Sequence, residues 1–144
     1  MKNILFVCTG NSARSIIAES IINNEYYNKF KAYSAGSNPT GNINSDVEKF
    51  LRSKNYDLSN LSSKNFDIFI DSKIKIHHIV TVCNNANNEI CPILPKNNQI
   101  IHWDIEDPLI KLNISDEREK NKIILNTFNA INKKIIKFFK NESK

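Results

Sequence analysis

Apolar positions along the chain follow two rhythms. Ile4-Leu5-Phe6-Val7 is a short continuous apolar run, partly β-branched, the pattern of a buried strand. His78-Ile79-Val80-Thr81-Val82-Cys83 and Gln99-Ile100-Ile101-His102-Trp103 have the same character, and Tyr33-Ser34-Ala35-Gly36 reads as the end of a further short strand. Between these runs the period lengthens. Ile17, Ala18, Ile21 and Ile22 share one face of a helix predicted from Ser12 or Ala13 to Tyr27. Val47, Phe50 and Leu51 do the same for a second helix, which opens on the capping-box pair Ser45 and Glu48 and ends near Lys54-Asn55. From Asp116 onward, Ile124, Phe128, Ile131, Ile135 and Phe138 form one stripe of a long C-terminal helix. Asn38-Pro39-Thr40-Gly41 is a loop by composition, Tyr56 to Lys64 reads as loop and short helix, and Cys91-Pro92-Ile93-Leu94-Pro95 is extended.

Strands alternating with helices imply βαβ units, hence an α/β fold with a parallel sheet. In such open sheets the ligand lies beyond the carboxyl ends of the strands. Cys8, Gly36, Cys83 and the segment from Trp103 to Asp107 all fall at or just past predicted strand ends, so they are expected to converge.

Length and composition narrow this picture. A chain of 144 residues fits one domain, 1–144, with room for a sizeable core. No apolar run approaches the ~18 residues of a membrane span, and the N-terminal apolar stretch is too short for a signal-peptide core. A cytoplasmic location is therefore expected. The formal charge of +5 suits an anionic substrate. The basic residues are dispersed and lack the stripe and aromatic partners of a nucleic-acid interface, so neither nucleic acid nor membrane is an expected partner. Three cysteines in a cytoplasmic chain are more readily reactive than structural.

The chemistry gathers at the first strand. Cys8 ends it, and Thr9-Gly10-Asn11-Ser12-Ala13 separates that cysteine from Arg14 and Ser15, where the first helix begins. A strand, a small polar loop and a helix N-terminus aim several backbone N–H groups at one point, which is how proteins bind a tetrahedral oxyanion. Thr9 to Arg14 are the expected oxyanion-binding residues, with the planar Arg14 fork gripping two oxygens. Cys8, at the base, is the candidate nucleophile, since N–H groups and a guanidinium favour a thiolate. Ser15 is placed to hydrogen-bond that sulfur, and equally to cap a helical turn. The plainer alternative, a buried structural cysteine before a capping serine, accounts less well for Gly10, Asn11 and Ser12. Asp107, before Pro108, is a candidate general acid, although Asp-Pro also starts turns. Cys83 and Cys91 lie eight residues apart, not in the Cys-x2-Cys spacing of a zinc ribbon. They either complete a thiol–disulfide relay with Cys8 or are buried and inert; local sequence leaves both open. A relay requires the Asn-rich 84–90 loop to bend or unwind.

Ile4 to Ser15 with Ala18-Glu19, and Tyr33-Ser34-Ala35-Gly36, resemble the low-molecular-weight protein tyrosine phosphatase superfamily. Val80-Thr81-Val82-Cys83-Asn84-Asn85-Ala86, Glu89-Ile90-Cys91-Pro92, and His102-Trp103 leading to Asp107-Pro108 resemble its thioredoxin-coupled arsenate reductase branch. The resemblance implies a three-layer fold around a four-stranded parallel sheet in the order 2-1-3-4. It implies reduction of arsenate to arsenite through Cys8, Cys83 and Cys91, with Arg14 binding the oxyanion, Ser15 supporting the thiolate and Asp107 as the acid. The reductant is then thioredoxin or glutaredoxin, and no metal or organic cofactor is required. A phosphatase acting on phosphotyrosine or small phosphate esters is the alternative, because Cys8, Arg14 and Asp107 suffice for it. Leu109 and Ile110 stand where the phosphatases carry an aromatic pair. Some relatives hold potassium at positions matching Asn11, Glu19 and Ser34 plus an acidic residue. Here Lys64 follows Ser62-Ser63, and its ammonium is expected to take the cation's place, with Asn11 and Glu19 as partners.

Overall fold

The computed structural model describes residues 1–70, 72–83, 99–113 and 116–142. In chain order these form β1 (Lys2–Cys8), α1 (Arg14–Glu25), β2 (Phe30–Gly36), α2 (Ser45–Ser53), α3 (Asp67–Ile70), β3 (His78–Cys83), β4 (Gln99–Asp104), α4 (Leu109–Leu112) and α5 (Glu117–Glu142). The four strands are all parallel and lie in the order β2-β1-β3-β4. That is the α/β architecture and strand order expected.

Strand β1 is central and carries side chains into both layers. Ile4, Phe6 and Cys8 enter one core with Ile16, Ile17, Ile21, Val80, Val82, Trp103 and the α5 stripe. Leu5 and Val7 enter the other with Ala35, Ile76 and Ile79, over which Tyr33, Phe66, Phe69 and Ile74 pack. A strand covered on both faces needs apolar residues at consecutive positions, which is why Ile4 to Val7 shows no alternation. All five predicted stripe residues of α5 are buried.

Helix α1 lies between the sheet and α5, and Arg14 through Ile22 are all buried, polar members included. Burial of Ser15, Glu19 and Ser20 there requires partners inside the protein. Ser20 returns its hydroxyl to the Ile16 carbonyl at 2.8 Å. Ser15 turns instead toward Cys8 at the end of β1, and Glu19 toward Ser34 in β2.

Strand β2 ends at Gly36 as the sequence predicts, and it begins at Phe30, because its pairing with β1 runs from Lys2↔Phe30 to Cys8↔Gly36. Elsewhere the structure departs from the sequence pattern. Helix α2 is capped by Asn44, not Ser45: the Asn44 Oδ1 accepts the N–H groups of Asp46 and Val47 at 3.0 and 3.1 Å. Residues 56–64 contain turns without a helix, and the short helix α3 follows at Asp67. Helix α4, a single turn after Pro108, was not anticipated.

Candidate active site

The loop from Cys8 to Arg14 owes its shape to the segment after β2. Ser37, Asn38, Thr40 and Asn44 donate their backbone N–H groups to the carbonyls of Cys8, Thr9, Gly10 and Ser12, at 3.1, 2.9, 3.1 and 3.0 Å. In a trans peptide the carbonyl and the next N–H point opposite ways. Carbonyls tied outward therefore leave the following N–H groups turned inward. Asn11 takes a positive φ of 46°, which bends the chain into an anion-binding concavity. Gly36 permits the close approach: a Cβ there would lie 2.4 Å from the Thr9 carbonyl oxygen and 3.0 Å from the Asn11 Cβ.

Cys8 is buried at the base of this loop, 2 % exposed. Its Sγ accepts the Asn11 backbone N–H at 3.2 Å and lies 2.9 Å from the Ser15 Oγ. The Asn11 side chain fixes the direction of these bonds. Its Oδ1 accepts the Lys64 backbone N–H at 2.9 Å, so its Nδ2 is the end that faces Ser15, at 2.7 Å, and Ser34, at 3.0 Å. Ser15 Oγ thus receives a hydrogen from Asn11 and directs its own toward Cys8. Two donors converge on one sulfur, an arrangement suited to an anion. Ser34 in turn donates to the Glu19 carboxylate.

Arg14, 3 % exposed, opens α1 beside this cysteine. Its guanidinium donates to the Ile105 carbonyl at 3.1 Å and stands 3.7 Å from the Asp107 Oδ2. Asp107 uses its other oxygen, Oδ1, to accept the Leu109 N–H at 3.0 Å, which holds the carboxyl over α4. Cys8, the loop residues through Arg14, and Asp107 line one cavity of about 270 Å³ together with Asn38, Thr40 and Leu109. The sequence-predicted nucleophile, cradle, arginine and acid are therefore brought together. Local pattern marks Asn38 and Thr40 only as loop, because their place at the mouth depends on hydrogen bonds to a loop about 30 positions earlier.

Behind the loop lies the group singled out as a cation site. Glu19 is buried, and burial raises its carboxyl above the ordinary value; the Ser34 hydroxyl and the charges of Lys64 and Lys31 act against that rise. Burial lowers the Lys64 ammonium, and Glu19 pulls it back up. The Lys64 Nζ donates to the Ser62 carbonyl at 2.8 Å. Lys64 meets Asn11 through its main chain, not its ammonium. Among the described residues no group of three or more His, Cys, Asp or Glu side chains is placed to hold a metal ion. Cys91 and the 84–90 loop lie outside the described residues. Cys83 occupies the last position of β3, in register with Asp104.

A model of the family described as low molecular weight phosphotyrosine protein phosphatase matches residues 3–143. The chain belongs to this family. Within it, the chain is 39% identical over 109 residues to arsenate reductase 1 of Staphylococcus epidermidis, covering 74% of this chain and 78% of that protein. An arsenate reductase from Archaeoglobus fulgidus superposes with a TM-score of 0.67 at 26% identity, over 90% of this chain and 96% of that one. A low-molecular-weight phosphotyrosine phosphatase from Vibrio cholerae superposes equally well, at a TM-score of 0.67 over 100% of both chains, but at 18% identity, and so speaks for the fold alone. The motif resemblance to the arsenate reductases of this superfamily is thus borne out, on a fold that its phosphatases share. Among the described residues no helix is long and apolar enough to cross a membrane.

Proposed function

We propose that the protein is a cytoplasmic arsenate reductase working by a three-cysteine relay, with thioredoxin or glutaredoxin as the external reductant. The observation that carries this reading is the convergence of Cys8, Arg14 and Asp107 on one cavity, with the Ser15 hydroxyl against the Cys8 sulfur. The relatives named arsenate reductase support the choice of anion, and Cys83 and Cys91 supply the two further sulfurs that reduction needs.

The Cys8 thiolate attacks the arsenic of bound arsenate, and the displaced oxygen leaves as water after taking a proton from Asp107. Arg14 and the inward N–H groups neutralise the oxyanion throughout. The Cys83 thiolate then attacks the Cys8 sulfur. A Cys8–Cys83 disulfide forms, the sulfur–arsenic bond breaks, and its electron pair stays on arsenic, which leaves as arsenite. Cys91 attacks Cys83 next, freeing Cys8 and leaving a Cys83–Cys91 disulfide for an external dithiol to reduce. No metal or organic cofactor enters. Lys64 stands in for a monovalent cation behind the loop, as a positive charge facing Glu19.

NADPH consumption in the presence of arsenate tests this directly. Sustained turnover is expected with thioredoxin and its reductase, or with glutathione and glutaredoxin, and the more active mixture names the reductant. Phosphate-ester hydrolysis without NADPH consumption in either mixture favours the second reading, a phosphatase, for which Cys8, Arg14 and Asp107 suffice.

A further inference from the structure

Two loops form the mouth of the oxyanion cavity. The β4–α4 loop brings Asp107 and Leu109, and the segment after β2 brings Asn38 and Thr40. The second of these is tightly held. Asn38 and Thr40 are anchored by their N–H groups to the Thr9 and Gly10 carbonyls, at 2.9 and 3.1 Å, and Pro39 restricts φ between them. Residue 38 thus sits beside the cradle at a fixed distance from it.

The two rim side chains differ in what they have left to offer. The Thr40 hydroxyl is committed to its own turn, donating to the Asn42 carbonyl at 2.8 Å and accepting the Asn42 N–H at 3.3 Å. Its methyl group is the part that faces Gly10, 3.4 Å from where a Cβ would stand. Asn38 is exposed and lines the cavity, and its carboxamide makes no hydrogen bond among the described residues.

We propose that the Asn38 carboxamide is a specificity-determining group, which hydrogen-bonds the outward oxygen of a bare tetrahedral oxyanion and so favours it over an organic ester. This rests on the oxyanion-pocket reading above and extends it to the fourth oxygen. The loop N–H groups and Arg14 serve the oxygens around the base. The remaining oxygen lies opposite Cys8 and faces the mouth, with the Asp107 carboxyl on one loop and Asn38 on the other. In arsenate or phosphate that oxygen is a hydroxyl or an oxide. A carboxamide pairs with either, donating through Nδ2 to the oxygen or accepting the hydroxyl through Oδ1. In an ester the same oxygen bears carbon, has no hydrogen to give, and carries a group that crowds Asn38, the Thr40 methyl and Leu109. A site built to hydrogen-bond a hydroxyl discriminates strongly against the analogue lacking it, since the polar group is left unpaired.

The full chain and its Asn38→Ala, Asn38→Leu and Asn38→Gln variants test this with two probes that need only the pocket. These are the KM for p-nitrophenyl phosphate and the competitive inhibition constant of inorganic phosphate. Asn38 is exposed, so the variants fold, and equal Tm values verify it. In Asn38→Ala and Asn38→Leu the ratio of the phosphate inhibition constant to the ester KM rises about tenfold, the factor carried by one net hydrogen bond, and Asn38→Gln recovers part of it. A ratio staying within about twofold of the parent's overturns the assignment, as does an equal change in both constants. Because neither probe uses the relay, a tenfold shift in a protein that fails to reduce arsenate rejects the reductase reading and leaves the role of Asn38 standing.

Discussion

Ser15 Oγ stands 2.9 Å from Cys8 Sγ, and its own lone pair is occupied by the Asn11 carboxamide at 2.7 Å. The hydroxyl hydrogen is thereby aimed at the sulfur. A hydrogen bond to a charged group contributes about 1.5–3 kcal/mol, so Ser15→Ala should slow iodoacetamide alkylation of Cys8 near neutral pH by about tenfold or more. Phosphate-ester hydrolysis should fall by a similar factor. Unchanged alkylation would show that Ser15 acts only as a helix residue.

Gly36 sets the distance between β2 and the cradle. A Cβ at this position meets the Thr9 carbonyl at 2.4 Å, and backbone on both sides leaves nothing to yield. Gly36→Ala should therefore cost about 1–3 kcal/mol, a fall in Tm of roughly 3 to 10 °C, and should distort oxyanion binding as well. A scan by circular dichroism and a phosphate titration measure the two effects. A Tm equal to the parent's would mean that the loop moves freely.

How much of this was legible beforehand depends on the range of the interactions. The continuous run Ile4 to Val7, the strand from His78 to Cys83 and the stripe from Ile124 to Phe138 are patterns of neighbours, and each appears in the structure as read. The Cys8 to Ser15 segment was legible for the same reason, since strand, cradle and helix are contiguous. Asn44 displaced Ser45 as the α2 cap because its N–H is held by the Ser12 carbonyl, a contact that a local capping-box pattern does not contain. Arg14 bonding the Ile105 carbonyl, and Asn38 bonding Thr9, are likewise tertiary facts. The convergence of Asp107 with Arg14 had to come from the rule that ligands collect at strand ends, because Asp-Pro alone reads as a turn.

Lys64 gives the proposed site a built-in positive charge, half-buried and within electrostatic reach of the Glu19 carboxylate. Arsenate turnover at fixed ionic strength should therefore be the same in potassium as in sodium. Lys64→Ala should lose activity and gain a response to potassium. A several-fold rise of the parent enzyme in potassium contradicts the substitution of lysine for the ion.

Tyr56 is expected to contribute to alkaline unfolding. Burial, and then Glu25 and Tyr26, push its hydroxyl up to about 12 from 10.0. The folded state therefore holds this proton after the unfolded chain has released it. The associated stability is complete below the unfolded value and is lost as pH rises through the folded one. Tyr56→Phe should flatten the fall of Tm between about pH 10 and pH 12 relative to the parent. Parallel curves would show that other groups set the alkaline limit.

If one cradle serves a thiol relay, the two distal cysteines are needed for reduction and not for ester hydrolysis. Cys83→Ser and Cys91→Ser are to be assayed side by side for NADPH-coupled arsenate turnover and for p-nitrophenyl phosphate hydrolysis. Both variants should lose arsenate turnover while keeping ester hydrolysis, because Cys8, Arg14 and Asp107 are untouched. Loss of both activities together, or arsenate turnover surviving either substitution, contradicts the relay.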